Sequence, residues 1–214
     1  MLRYGMTVAP DDSYRTIRTP AEFLLRERGS RFLGRTCHVT TPKEAEEFIA
    51  SQRQLYHDAR HTCFAWRLGT TGGLFRYADD GEPAGSAGKP ILAAIDRAGV
   101  TDVVVGVTRW FGGTKLGIGG LIRSYGGTAD GVLDRAGTET RYLSSFLDVA
   151  FPHIHTSSVM HVVSVLGLAI VTTTYDDRVH LRISVRRSRL EEARTRLIDH
   201  THGGAIVTIV QEQS

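Results

Sequence analysis

Two stretches of the chain concentrate residues that could do chemistry, Tyr77-Ala-Asp-Asp-Gly-Glu-Pro-Ala-Gly-Ser-Ala-Gly-Lys-Pro90 and Arg109-Trp-Phe-Gly-Gly-Thr-Lys-Leu-Gly-Ile-Gly-Gly-Leu-Ile-Arg-Ser-Tyr125. In the first, Asp79, Asp80 and Glu82 form an acidic triplet of the kind that can hold a hard cation such as Mg²⁺ or share acid–base work. The same Asp-Asp-Gly run is a turn former, because its carboxylates can accept from nearby backbone N–H groups, and that reading is preferred. In the second, Arg109, Lys115 and Arg123, joined by Lys89 of the first, stand near glycine-rich turns that lead into helices. Such turns offer backbone N–H groups to anions. The aromatic residues Trp110, Phe111 and Tyr125 interleave with these cations as stacking platforms do in single-strand binders. Two readings stand side by side: phosphate contacts with stacked bases, or core aromatics beneath a solvated cationic rim.

Nucleotide motifs fail on inspection. A P-loop needs GxxxxGK[ST], whereas Gly88-Lys89 is followed by Pro90 and Pro83 stands where the first glycine should be. A dinucleotide fingerprint beginning at Gly117-Ile-Gly119 meets Ile122 instead of its third glycine. There is no GxSxG elbow and no HExxH.

His57 and His61 have i, i+4 spacing and Cys63 follows, which suggests zinc or a Cys–His nucleophile. Asp58-Ala-Arg60 lies where a helix gives way to a strand, so the spacing does not put both imidazoles on one helical face, and structural roles are expected. His153, His155 and His161 lack a suitably spaced carboxylate or cysteine. No catalytic constellation emerges, and no metal or cofactor is expected.

The chain has 214 residues, 41% of them hydrophobic, and can bury one or two sizeable cores without cofactor help. A net charge of +3 is too small to advertise a polyanion partner by bulk charge, so any nucleic-acid surface must be local. Only Lys43, Lys89 and Lys115 are lysines among the 26 basic residues. Cys37 and Cys63 are too few for a disulfide scaffold and are read as buried reduced thiols. The opening residues hold no apolar run of signal-peptide length, and the run Val159 to Val171 is interrupted by His161 and too short to span a bilayer. A cytoplasmic protein without a membrane segment is expected.

The elements that must position these residues follow from pattern. The opening to about Asp12 is expected to be frayed, with a strand starting at Tyr14. Thr41-Pro-Lys-Glu44 is a helix start, its hydroxyl, proline and glutamate each in the favoured place, and Ala45, Phe48, Ile49, Leu55 and Tyr56 share one face beyond it. Strands are expected at Arg31 to Val39, His61 to Leu68, Leu74 to Tyr77 and Val103 to Val107, the last β-branched and buried on both faces. Lys89 to Ala98 reads as a helix. Seven glycines in the eighteen residues Trp110 to Gly127 lead into a further helix ending near Gly137. Glycines inside a helix cost about 1 kcal/mol each relative to alanine, so close packing or close ligand approach must require them.

Gly137-Thr-Glu-Thr-Arg141 is expected to separate two domains, 14–136 and 140–212. The second reads as strand Tyr142 to Phe151, helix Ile154 to Leu166, strands Ala169 to Tyr175 and Val179 to Val185, helix Ser188 to His200 and strand Ala205 to Val210. That order, β-α-β-β-α-β, is the ferredoxin-like split unit. Arg186, Arg187, Arg189, Arg194 and Arg196 gather around its last helix, where Glu191 and Glu192 favour a solvated face.

At the two glycine-rich stretches the sequence resembles the IMPACT/YigZ family. The carrying residues are Asp79, Asp80, Gly81, Glu82, Pro83, Gly85, Gly88, Lys89 and Pro90, then Arg109, Gly112, Gly113, Lys115, Gly117, Gly119, Gly120 and Tyr125. Ser30-Arg-Phe32 and Asp58-Ala-Arg-His61 support the match, while Trp110-Phe111 replaces two aromatics of other kinds. The resemblance implies an α+β chain whose first domain is like domain IV of elongation factor G and whose second is like that factor's domain V. It implies translation-linked binding of RNA or the ribosome without catalysis, with Lys89, Arg109, Lys115 and Arg123 on phosphate and a protein partner in translation a further possibility. Rival expectations are a metal-dependent hydrolase or peptidase using Asp79, Asp80, Glu82 and a histidine such as His61, and a protein-interaction module without nucleic acid.

Overall fold

A computed structural model describes residues 12–210. The expectation for the opening residues lies outside that range. The chain divides into two compact units, residues 14–141 and residues 142–210 with Asp12 and Ser13.

The first unit is built on a five-stranded antiparallel sheet. Its strands are β2 (Ala21–Glu27), β3 (Ser30–His38), β4 (His61–Leu68), β5 (Leu74–Ala78) and β6 (Val103–Trp110), in the order β2-β3-β6-β4-β5. The central strand β6 alternates between two cores. Val103, Val105 and Val107 face helices α2 (Gly88–Ala98) and α3 (Gly117–Ala136), while Val104 packs with Ala45 and Ile49 of α1 (Pro42–Leu55). A β-branched run buried on both faces is what such a three-layer arrangement demands.

Helix α1 starts as its sequence dictates. The Thr41 hydroxyl accepts from the Glu44 N–H at 3.2 Å, Glu44 reaches back to the Thr41 N–H at 3.3 Å, and Pro42 opens the helix. Its buried face is Ala45, Ile49 and Gln52, whereas Leu55 is exposed. Glycine inside α3 has a packing reason at Gly131, where a Cβ would strike the ring of Phe23 on β2.

Strand β1 (Ser13–Ile17) pairs with β7 (Thr138–Tyr142) as a two-stranded sheet. The polar stretch expected to be a linker is therefore a strand. Ile17 buries its side chain in the α2–α3 core, which pins this ribbon to the first unit.

The second unit contains β8 (Ser144–Phe151), α4 (Thr156–Leu166), β9 (Ala169–Tyr175), β10 (Val179–Arg186), α5 (Leu190–His200) and β11 (Ile206–Val210). The order β-α-β-β-α-β and the sheet order β11-β8-β10-β9, antiparallel throughout, match the sequence expectation for this region. Leu147, Val149, Leu181 and Ile183 face Val159, Val162 and Leu197 of the two helices, and on β8 and β10 Arg182 grips Asp148 with two 2.7 Å bonds. Around α5, Arg189 and Arg196 pair with Glu192, and Arg194 with Glu191. Among the described residues no helix is long and apolar enough to cross a membrane.

Candidate functional site

The acidic loop between β5 and α2 sends its three carboxylates to three different places. Asp79 turns inward and accepts from the N–H groups of Gly85 (2.8 Å), Ala87 (2.9 Å) and Gly88 (2.8 Å), so it caps the start of α2. The positive end of that helix is thus occupied by the chain's own anion. Asp80, at a left-handed φ of 45°, accepts from Arg53 and from the Thr62 N–H, both at 2.7 Å. Glu82 goes into the core. One of its oxygens accepts from Arg109 Nη1 at 2.6 Å and from the Tyr125 hydroxyl at 2.8 Å.

Committed to separate partners, the three carboxylates do not converge on a single point. Among the described residues no group of three or more His, Cys, Asp or Glu side chains could hold a metal ion. The Cys–His alternative is closed as well. The buried Cys63 thiol donates to the Asp79 carbonyl at 3.0 Å, and burial pushes it well above its ordinary range, so it stays protonated. His61 Nδ1 donates to the Asp80 carbonyl at 2.7 Å, which fixes that ring, and His57 is exposed elsewhere. In the second unit the His161 ring lies 5.8 Å from that of His200, and His153 contacts the Asp176 carbonyl.

The second glycine-rich stretch separates its aromatics. Tyr125 sits on the inner face of α3, fully buried edge-on against Phe32 at 5.1 Å, and burial raises its hydroxyl far above the ordinary value. It is a core residue and not part of a stacking surface. Trp110 donates to Asp58 at 2.9 Å, meets Tyr56 edge-on at 5.5 Å and carries the Arg31 guanidinium 4.6 Å from its ring. Phe111, 56% exposed, is the aromatic of the three that stays open to solvent. Its loop is braced at Gly112, where a Cβ would sit inside the Gly29–Ser30 backbone and whose N–H donates to Ser30 Oγ at 3.1 Å.

The four expected phosphate contacts are not brought together. Arg109 is buried, its side chain 8% exposed, and tied to Glu82, which corrects the expectation of a surface contact: it continues the inward face of β6 below Val107. Lys89, Lys115 and Arg123 are exposed and pair with no acidic group among the described residues. Only Lys115, with Arg109, lines a cleft of about 420 Å³ between the Glu82 loop and the start of α3. Pro83, Phe111, Leu116, Ile118 and Leu121 form its apolar walls, the Glu82–Arg109 pair closes one side, and Arg60, His61 and Lys115 supply its remaining polar groups. The first turn of α3, beginning at Gly117 beside this cleft, has no side-chain cap and no acidic residue. Arg60 as a cleft cation and the walls Leu116, Ile118 and Leu121 were not singled out by sequence reading. The signal available for them was Ile118 set among glycines, an apolar side chain that a surface turn has no reason to hold.

Residues 28–133, which hold four of the five strands of the sheet, both glycine-rich loops and most of α3, match the family model described as the Impact N-terminal domain. Beyond that domain the similarity extends over most of the chain. An Escherichia coli (strain K12) protein, "IMPACT family member YigZ", is 30% identical over 185 residues, spanning 86% of this chain and 91% of that protein. A Thermus thermophilus protein, "IMPACT family member in pol 5'region", is 45% identical over 122 residues, spanning 57% of this chain and 64% of that protein. A solved structure described as that of a hypothetical protein superposes with a TM-score of 0.69 at 28% identity, covering 94% of this chain and 99% of its own. The chain belongs to the IMPACT family.

Proposed function

We propose that this protein binds RNA or the ribosome in a translation-linked, non-catalytic role. The family resemblance implies a connection to translation and a likeness of the two units to elongation factor domains. The observation that carries the reading is electrostatic. The loop and first turns running from Phe111 to Arg123 hold two exposed cations, Lys115 and Arg123, with no acidic partner among the described residues, beside a helix N-terminus that no side chain caps. Unpaired cations near free backbone N–H groups are what a phosphate backbone engages. Lys89 adds a third exposed cation at the start of α2, whose backbone N–H groups are already engaged by Asp79. Arg109 acts beneath this surface as the partner of Glu82.

The test is binding of the purified protein to ribosomes and to short single-stranded and structured RNAs across a salt series, with Lys115→Ala and Arg123→Ala alongside. Log affinity should fall linearly with log salt, the slope shrinking by about 0.7 to 0.9 for each cation that touches phosphate. Absence of binding to every one of them at low salt would sink the reading.

A further inference from the structure

We infer that the cleft beside α3 receives one splayed-out nucleotide of single-stranded RNA, its base lying along Phe111 and Ile118 and its phosphate held by Lys115 and Arg60 at the first turn of the helix. This rests on the RNA reading above and adds to it a place, a strandedness and a mode of contact.

Four observations converge on such an occupant. The cleft encloses about 420 Å³, within the range of sites that take small organic groups and of a size to admit a single nucleotide but not a duplex. Its walls are apolar and open: Phe111 is 56% exposed and Ile118 60%, and exposed apolar side chains gathered at a concave site mark recognition surfaces.

Charge gives the second half of the ligand. The carboxylate lining the cleft, Glu82, is already answered by Arg109 at 2.6 Å, so Arg60 and Lys115 are left as surplus positive charge with no acidic partner among the described residues. The occupant is therefore anionic at one end and apolar at the other. A nucleobase with its phosphate has that build, and bases stack on aromatic faces whatever their sequence.

The fourth observation is Arg109 itself. Its side chain is more than nine-tenths buried and lines the cleft, yet its Nε has no hydrogen-bond partner, although its Nη1 is committed to Glu82. Its guanidinium carbon lies 5.6 Å from the centre of the Phe111 ring. That Nε is shielded from solvent, so Arg109 serves the cleft as a buried cation beside the Phe111 ring and not as a donor to the occupant.

The experiment uses the full chain and a ten-nucleotide oligoribonucleotide with a central 2-aminopurine, alone and annealed to its complement. Anisotropy reports affinity, and 2-aminopurine fluorescence reports stacking of the base on protein. Preference for the single strand of about tenfold or more, fluorescence quenched on binding, a loss of about tenfold for Phe111→Ala at unchanged salt slope, and a slope reduced by about 0.7 for Lys115→Ala support the proposal. Phe111 and Lys115 are exposed, so both variants are expected to fold, which thermal melting checks. Lys89→Ala, outside the cleft, should leave the fluorescence change intact.

RNA bound with equal affinity as duplex, with Phe111→Ala silent, overturns the cleft proposal while the RNA reading stands. No binding to either RNA at low salt removes both. Saturable binding of an acidic, aromatic-containing peptide that is lost in Phe111→Ala, while the oligonucleotide binds that variant unchanged, also overturns the nucleotide assignment.

Discussion

Arg109 and Glu82 meet at 2.6 Å with their side chains 8% and 4% exposed, and the Tyr125 hydroxyl donates to the same carboxylate oxygen. The contact joins β6, the loop before α2 and the middle of α3, three segments far apart in sequence. A buried pair of this kind is more costly to break than it is stabilising to have, because removing one partner strands the other's charge away from water.

Glu82→Gln keeps an acceptor for Tyr125 but leaves the Arg109 charge unanswered, and should lower unfolding free energy by about 3–5 kcal/mol in urea titration. The double variant Glu82→Gln with Arg109→Met should recover part of that loss. A double variant as unstable as the sum of the single changes would show that the two side chains contribute independently.

Asp79→Ala removes an acceptor from three backbone N–H groups at once and should cost about 2 kcal/mol, with Asp79→Asn losing less. Urea midpoints for the three proteins check the ranking. Equal stability of the Ala and Asn variants would mean that charge at the α2 dipole, and not hydrogen bonding, supplies the effect.

Gln52 is fully buried on α1, and neither amide atom has a hydrogen-bond partner among the described residues. It faces Gly106 of β6, where an added Cβ would meet the amide at 2.7 Å. Gln52→Met replaces the unsatisfied amide with an apolar chain of similar volume and should raise stability by about 1 kcal/mol. A drop in Tm would contradict the view that this amide is a liability.

His38 accepts at Nε2 from Arg141 Nη1 at 2.7 Å, an arrangement available only to a neutral imidazole. Burial first, and then the Arg141 charge, hold its pKa below the ordinary 6.5. Because the folded value lies below the unfolded one, the unfolded chain takes up the proton first on acidification. Stability from this site is present above about pH 6.5 and falls as pH drops through and below that value. His38→Gln should flatten the decline of Tm between pH 7 and pH 5, and an unaltered decline would assign it to other groups.

Much of this architecture could be read from the residues. The Thr41–Glu44 capping pattern and the second unit's element order are local signals of known physical origin, and both appear in the structure. Strand β2 escaped because Phe23, Leu24 and Leu25 run together on an edge strand that is half exposed, where alternation is weak. Strand β7, Thr-Glu-Thr-Arg-Tyr, reads as a linker because it buries almost nothing and is held by pairing to β1. The burial of Arg109 was legible in principle, since it follows Val103, Val105 and Val107 at strand period two. The spacing of Leu121, Tyr125, Ala129 and Val132 likewise puts Tyr125 inward at helical period. In both cases residue type, cation and aromatic, outweighed position. The meeting of Glu82 with Arg109 had no such signal, because a loop closed by hydrogen bonds to distant segments carries no periodicity.

The two glycine-rich segments look alike on paper, each with a lysine beside a helix start, yet Asp79 makes them opposites. A carboxylate tethered nine residues from the amide it binds competes with dissolved phosphate as an intramolecular ligand. The start of α2 is therefore already occupied by the chain's own carboxylate, and an outside anion must displace it to bind. Among the described residues the start of α3 has no such internal competitor, so its N–H groups are left to solvent or to the ligand proposed above. A one-residue change, an acidic side chain at Ile118, would give α3 an internal competitor of its own.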